Sequence, residues 1–273
     1  MSKIMTLQEA AASVRDGEIL ALGGNVLHRA PMAMVRELVR QKRKDLRLVK
    51  TAGAMDVDML CFGGCVSSVD AGFISYESEY SLALHYRKGV ESGAVKGNEH
   101  ACYTVISALR AASFGVGFLP VKGLVTSDLI DANEYFMRVE DPFTKEPVTA
   151  VRAIRPDVAV IHVQEADQEG NARIGGPQFE DVLLSRAAGR VLITTENLVH
   201  SSAFTGSKNK ADIPHFLVEG VVRVPKGAAP CSCPGLYDID RKALDAFKAL
   251  KDQAGLLEYL KAYERADYRG GRK

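Results

Sequence analysis

The hydrophobic and polar positions of the chain alternate between a helical period and short apolar runs typical of buried strands. A capping box at Thr6 and Glu9 predicts the start of a first helix. The run from Glu18 to Leu22 predicts a buried strand that ends at Gly23 and Gly24. An amphipathic helix and a second strand, Leu46 to Val49, follow. The order is helix, strand, glycine turn, helix and strand.

The same alternation returns later in the chain. Further helices are predicted at 101–114 and 179–188, and further strands at 115–120, 157–163, 190–195 and 218–224. Strands that alternate with amphipathic helices indicate parallel pairing. The prediction is an α/β fold, an open and mostly parallel sheet flanked by helices.

The pattern predicts a single domain over residues 1–273. Periodicity is weak at about 126–155, which predicts a long excursion or a β-hairpin within that domain. A C-terminal helical hairpin is predicted at about 241–264, broken near Gly255. The final residues, 269–273, are expected to fray.

Composition narrows the class of protein. Apolar residues are 47% and charged residues 25% of the 273, and the net charge is +1. These values exclude intrinsic disorder and a globally basic nucleic-acid binder. Uncharged runs reach eleven residues, as in Ala111 to Val121, whereas a membrane span needs about 20. Without a signal-peptide core, the expected location is the cytoplasm.

The glycine pair is the first candidate for chemistry. Gly23 and Gly24 separate a strand from a helix, so a ligand could approach the backbone closely and an anion could meet the helix start. An ordinary tight turn is the alternative. The segment has neither the dinucleotide-binding glycine pattern nor a P-loop lysine.

The five cysteines lie at 61, 65, 102, 231 and 233, a number and spacing that do not form a regular zinc pattern. His200 or His215 could add ligands, but buried free thiols are the expectation, and no metal is predicted. His162 lies inside the strongest predicted strand, which favours a core histidine.

Two sets of polar residues remain as candidates. Glu99 is predicted at the start of the 101–114 helix, either as a first-turn acid or as a catalytic carboxylate. Asp167, Gly170 and Asn171 follow the strongest strand, where they form either a polar turn or part of a ligand crevice.

Several segments, taken in order, resemble the α (A) subunits of family I coenzyme A transferases, especially the glutaconate CoA-transferase type. The segments are 23–38, 87–99, 112–120, 166–172, 187–196 and 224–230. The resemblance implies the CoA-transferase fold, a homologous β (B) subunit, a heterotetramer, and CoA transfer from an acyl-CoA to a small carboxylic or dicarboxylic acid. It implies no cofactor beyond the CoA thioester, and neither a nucleic acid nor a membrane as partner.

In this family the nucleophile is a glutamate in an E-N-G motif of the β subunit. This chain has only Glu196-Asn197-Leu198, so the resemblance implies that the partner supplies the nucleophile. It also implies that Gly23, Gly24 and Asn25 line the cleft, although many members carry an aromatic residue where Asn25 stands. Arg29 could pair with a substrate carboxylate or with a neighbouring helix.

Ser75 and Glu77 complete the substrate-binding candidates. A related branch hydrolyses ring-opened steroid-derived CoA thioesters, and there Glu99 would be the catalytic residue. A non-catalytic structural subunit is the third possibility.

Overall fold

In the computed structural model, which describes residues 2–206 and 210–268, seven strands form a parallel central sheet. The strands in chain order are β1 (Ile19–Leu22), β2 (Leu46–Gly53), β3 (Val66–Ile74), β4 (Lys96–Glu99), β5 (Phe118–Val121), β6 (Phe136–Glu140), β7 (Pro147–Arg152), β8 (Val158–Asp167), β9 (Ala172–Arg173), β10 (Arg190–Val199) and β11 (Val218–Arg223). The mostly parallel α/β sheet predicted from the sequence is confirmed.

The strand order is β11-β10-β8-β1-β2-β3-β4, with β9 antiparallel to β8. From β1 the chain builds outward through β2, β3 and β4, and then returns to place β8 on the other side of β1. The direction of winding therefore reverses between β1 and β8. In open parallel sheets, a ligand crevice forms at such a reversal, outside the carboxyl ends of the strands.

Helices cover both faces of the sheet. They are α1 (Leu7–Ser13), α2 (Met32–Arg40), α3 (Met55–Phe62), α4 (Glu77–Tyr80), α5 (Leu84–Glu91), α6 (Cys102–Ser113), α7 (Leu129–Ala132), α8 (Asp181–Ala187), α9 (Arg241–Lys248) and α10 (Gln253–Asp267), with 3₁₀ turns at Ser201–Phe204 and His215–Leu217. Helices α1, α2, α3, α9 and α10 share one hydrophobic core with the sheet. Helices α6 and α8 share the other.

Local sequence accounts for the elements nearest the centre. Along β1, Leu20 and Leu22 point into the first core and Ala21 into the second. Strand β8 is buried along nearly its whole length, as expected for a central strand covered on both faces. At the start of α1, the Thr6 hydroxyl accepts from the Glu9 amide at 3.1 Å, and the Glu9 carboxylate accepts from the Thr6 amide at 2.8 Å.

The weakly periodic segment is a β-hairpin. Strands β6 and β7 pair antiparallel, and β5 completes a small sheet in the order β5-β7-β6. The strand predicted at 115–120 therefore belongs to this second sheet rather than to the parallel one. The small sheet packs on the α6 side, where Val121, Phe136 and Val151 enter the second core.

The C-terminal helical hairpin is present, and its break lies at residues 249–252, just before the predicted position near Gly255. Helix α9 ends at Lys248 and α10 begins at Gln253. The Asp252 carboxylate caps α10 by accepting from the Gly255 amide at 2.8 Å, so Gly255 lies in the first turn of α10. The predicted fraying of 269–273 concerns residues outside the described part of the chain.

None of the helices in the described ranges combines the length and apolar character needed to cross a bilayer.

Candidate active site

The turn after β1 lies at the carboxyl edge of the sheet, at the reversal between β1 and β8. The Gly23 amide donates to the Val160 carbonyl at 2.9 Å, and the Gly24 amide donates to Asp181 Oδ1 at 2.8 Å. The Lys50 ammonium donates to the Gly23 carbonyl. These two amides are therefore engaged within the chain and are not open donors for a ligand anion.

Both glycines are required by packing. Gly24 has φ +71°, and a Cβ there would lie 2.5 Å from the Arg29 carbonyl carbon. A Cβ on Gly23 would overlap the Asp181 carboxylate. The glycine pair is thus needed to bring the turn against its own chain, and Asn25 follows as a half-buried residue at its end.

Arg29 and Asp181 form a buried ion pair that braces this turn. Arg29 Nη2 lies 2.6 Å from Asp181 Oδ2, and both side chains are 0% exposed. The guanidinium also donates to the His162 carbonyl at 3.0 Å and to the Pro177 carbonyl at 2.7 Å. Of the two expectations for Arg29, the structure shows pairing with a neighbouring helix, since Asp181 is the first residue of α8. Its guanidinium is enclosed and does not face solvent.

A second buried ion pair lies beneath the same turn. Lys50 Nζ, which holds the Gly23 carbonyl, is 2.9 Å from the Asp56 carboxylate. Asp56 Oδ1 accepts from the amides of Ala54 and Val57 at 3.0 Å and so anchors the start of α3. Two ion pairs from four separate segments therefore fix the backbone at the winding reversal.

Glu180, Thr51 and Cys102 lie together at this edge, and no sequence motif singles them out. Burial and the adjacent Asp181 charge raise the pKa of Glu180, despite a hydrogen bond from Thr51. Cys102 Sγ donates to the Thr51 carbonyl at 3.5 Å. Burial and the Glu180 charge raise the pKa of the Cys102 thiol. A half-buried carboxyl that keeps its proton to higher pH is a feature that concentrates at functional sites.

Ser75, Glu77 and Glu99 lie at the same edge but farther along the sheet. Ser75 follows β3 and is half-buried, and its hydroxyl donates to the Ser81 carbonyl at 2.7 Å. Glu77 is exposed. The Gly23–Gly24 turn, held by the Arg29–Asp181 pair, is called the braced turn below. From β1, three strand spacings of about 4.8 Å lead to β4, so about 14 Å separates Glu99 from the braced turn.

The predicted helix-start position of Glu99 is wrong. Glu99 is the last residue of β4, and α6 begins only at Cys102. Its side chain is exposed, while its carbonyl accepts from Asn133 Nδ2 at 2.7 Å. The next residue, His100, is buried with Nε2 3.2 Å from Asp70 Oδ1. The backbone at Glu99 is therefore held firmly, with its carboxylate projecting outward.

The residues after β8 form a polar turn. Asp167 Oδ1 accepts from the amides of Glu169, Gly170 and Asn171, each at 2.9 Å. Hydrogen bonds within the turn thus occupy this carboxylate, as the turn interpretation predicts.

His162, Glu196 and Cys233 bring one histidine nitrogen, one carboxylate oxygen and one thiol within 4.8 Å of one another. Burial raises the pKa of Glu196, but hydrogen bonds from His162, Tyr237 and the Lys226 amide outweigh that effect and hold the pKa below its usual value. Burial also raises the pKa of the Cys233 thiol to about 12. The neutral thiol and the fully engaged carboxylate fit a hydrogen-bonded core network better than a cation site.

Comparison with proteins of known sequence shows the family to which this chain belongs. The chain matches the Coenzyme A transferase family over residues 4–224. It belongs to that family. The α (A) subunit of glutaconate CoA-transferase from Acidaminococcus fermentans is 33% identical over 264 residues, covering 90% of this chain and 82% of that relative. The α-subunit resemblance predicted from the sequence is confirmed.

Solved structures with the same fold support this family assignment. Glutaconate coenzyme A-transferase from Acidaminococcus fermentans matches with a TM-score of 0.87 at 31% identity, covering 98% of this chain and 94% of that one. A variant of the decarboxylase AibA/AibB matches with a TM-score of 0.85 at 34% identity, covering 96% and 98%. The fold therefore occurs in proteins named for different reactions.

Two further relatives concern the length of this chain relative to similar proteins and the hydrolase alternative. An uncharacterized protein of Archaeoglobus fulgidus is 34% identical over 96% of this chain, which spans only 59% of that protein. A cholesterol ring-cleaving hydrolase IpdA subunit of Rhodococcus jostii is 30% identical, covering 88% of this chain and 84% of that relative. At this level of identity the hydrolase alternative is not better supported than the transferase.

Proposed function

We propose that this chain is the α subunit of a heteromeric acyl-CoA transferase, which moves CoA from an acyl-CoA to a small carboxylic or dicarboxylic acid. A homologous β subunit supplies the nucleophilic glutamate. The CoA thioester is a substrate, and no separate cofactor is proposed. Membership of the CoA-transferase family across most of the chain supports this assignment.

The absence of an E-N-G motif from this chain carries the assignment of the nucleophile to the partner, and the state of three carboxylates agrees with it. The fully buried carboxylates beside the braced turn are committed, Asp181 to Arg29 and Asp56 to Lys50. Glu196 is likewise held by His162. A carboxylate nucleophile must keep an oxygen lone pair directed at the acyl carbon. These three cannot do so without breaking the contacts that hold the fold together.

The proposed reaction balances without an oxidant or a metal. The partner glutamate attacks the thioester carbonyl, forming an acyl-glutamyl anhydride and releasing the CoA thiolate. The thiolate attacks the glutamyl carbonyl, which forms a glutamyl-CoA thioester and releases the first acid. The acceptor carboxylate then repeats these steps in reverse order. Each step passes through an oxyanion, so fixed donors and exclusion of water are required.

This chain contributes a rigid wall to that site. The Gly23–Gly24 turn, with Asn25 at its end, lines the cleft, and Arg29 acts on it as a positioning residue through Asp181. Glu180 is an additional candidate to contact the substrate, because its half-buried carboxyl lies at the same edge of the sheet. Ser75 and Glu77 remain candidates for contacts farther along the edge.

The test is to co-express the chain with the product of the neighbouring gene and to assay CoA transfer from acetyl-CoA to a series of dicarboxylates. Transfer is expected only with both chains present. Hydroxylamine trapping during turnover should modify a glutamate of the partner. Modification of a glutamate in this chain would overturn the assignment.

Glu99→Gln separates the transferase from the hydrolase. A transferase with its nucleophile in the partner should keep most of its activity, and a hydrolase that uses Glu99 should lose it. Glu91→Gln is the matched control, because Glu91 is also an exposed carboxylate of the neighbouring α5. If neither transfer nor hydrolysis is detected with the partner present, the structural-subunit alternative gains support.

A further inference from the structure

A second cleft opens at the amino ends of the strands, at the opposite end of the sheet from the braced turn. Its volume is about 480 Å³, within the usual range for small-molecule sites. The main sheet contributes the starts of β1 and β2, and the small sheet contributes the end of β7. The residues that matter for its chemistry are Arg47, Arg152, Arg155, Glu134 and Tyr135.

The three arginines come from separate segments, and the protein holds each of them. Arg155 donates to the carbonyls of Ala112 at 3.3 Å and Val116 at 3.0 Å. The Arg152 guanidinium lies 5.9 Å from the centre of the Tyr135 ring. The Arg47 guanidinium lies near the Tyr135 hydroxyl, where it opposes the rise in the Tyr135 pKa that burial causes. Contacts of this kind reduce the conformational entropy lost when an arginine binds a ligand.

The charge of the cleft is unbalanced. Its lining carries three guanidinium groups against one carboxylate, Glu134. That carboxylate is paired with Lys96 Nζ at 3.1 Å. Asp157 borders the cleft, where its carboxylate accepts from the Ile19 amide at 2.8 Å. The three arginine side chains therefore face a space in which positive charge predominates.

We propose that this cleft binds a small ligand that carries clustered phosphate groups. Guanidinium groups present flat pairs of N–H donors that match phosphate oxygens two at a time. Adjacent phosphates concentrate several negative charges in a small volume, which suits a cleft lined by three arginines. The Tyr135 ring adds an aromatic edge against which the organic part of such a ligand can pack.

This site is separate from the transferase centre. Ile19 lies in the cleft and Gly23 in the braced turn, so four residues of β1 at about 3.3 Å each place the two about 13 Å apart along the strand. The cleft proposal does not depend on the proposed transferase activity, and either can fail without the other.

The experiment is calorimetric titration of the co-expressed complex with inorganic tripolyphosphate, and in parallel with ATP and with citrate. The variants are Arg47→Ala/Arg152→Ala, which removes two of the three guanidinium groups, and Arg152→Lys, which keeps the charge without the flat fork. Arg265→Ala is the matched control, because Arg265 is an exposed arginine of α10 on the opposite face of the sheet.

The expected result is one tripolyphosphate per copy of this chain, at least about tenfold weaker binding in the double variant, and intermediate binding in Arg152→Lys. Arg265→Ala should bind as the parent does, and raised salt should weaken binding because the cleft is open to solvent. Absence of binding to the complex overturns the proposal, as does unchanged binding in the double variant. Citrate that binds as tightly as tripolyphosphate overturns the phosphate assignment.

Discussion

Replacing Asp181 with asparagine tests whether the braced turn depends on a buried ion pair. Asparagine has nearly the volume of aspartate but no charge. Its single amide oxygen can serve either the Gly24 amide or the Arg29 guanidinium, which now bond to separate carboxylate oxygens. The Arg29 charge would remain at 0% exposure with only the carbonyls of His162 and Pro177 as acceptors.

The expected loss of unfolding free energy is large. Removing one partner of a buried ion pair costs about 3–5 kcal/mol, because the other charge is left without compensation. The two carbonyl acceptors that Arg29 keeps favour the lower end, about 3 kcal/mol. That value corresponds to roughly a hundredfold change in the folding equilibrium. For a chain of this size it lowers Tm by roughly 6–12 °C.

Urea unfolding of the complex, followed by far-UV circular dichroism, measures the effect. Glu91→Gln is the control, since Arg87 and Glu91 form a pair whose side chains are 56% and 57% exposed. An exposed pair of this spacing contributes only about 0.3–0.5 kcal/mol. If Asp181→Asn and Glu91→Gln shift the urea midpoint equally, burial of the pair does not have the energetic consequence argued above.

Three further outcomes follow from the same structure. Gly24→Ala should destabilise the protein by more than about 3 kcal/mol, because a positive φ and a backbone overlap combine, whereas Gly64→Ala, with φ +68° and open space, should cost only about 1–2 kcal/mol in urea unfolding. The pKa of Glu196 is lowered on folding, so its stabilisation should be complete above pH 4.5 and be lost as pH falls through the folded pKa. The Tm difference between the parent and Glu196→Gln should therefore be constant from about pH 6 to 8. It should shrink as the pH falls below the usual pKa of a glutamate carboxyl. The pKa of Glu180 is raised, so its carboxylate opposes folding at neutral pH, and Glu180→Gln should raise Tm there; an unchanged or lower Tm would contradict this.

Sequence pattern predicts the elements whose burial is continuous and misses those whose pairing is set by neighbours. Strand β8 is apolar along most of its length, and its pattern predicts it directly. Strand β3 is interrupted by Ser67, Ser68 and Asp70, so its apolar alternation is short, and β4, which is Lys-Gly-Asn-Glu, has no apolar period. Both are strands because the exposed edge of β2 accepts β3, which in turn accepts β4. That is why the sequence pattern places Glu99 wrongly at a helix start.

The candidate site shows the same division. The glycine pair is visible locally, because a strand followed by two glycines and a helix marks the turn. The residues that hold the glycine turn in place cannot be recognised from local sequence, because Asp181 lies 152 positions from Arg29 in the chain. Glu180 carries only a weak local signal, an acid immediately before a helix, and its raised pKa arises from burial that the fold creates. Long-range partners of this kind require the structure.

The place of β1 in the sheet also has a consequence during synthesis. Its first neighbour, β2, follows within one helix, but Leu20 pairs on the other side with Val158. At about 5–20 residues per second, a ribosome needs roughly 7–28 s to make the intervening chain. Throughout that interval the strand destined for the middle of the sheet has one unprotected edge, open to pairing with other chains. This edge of β1 stays open until β8 emerges, and a chaperone that covers the β1 edge would act in that interval.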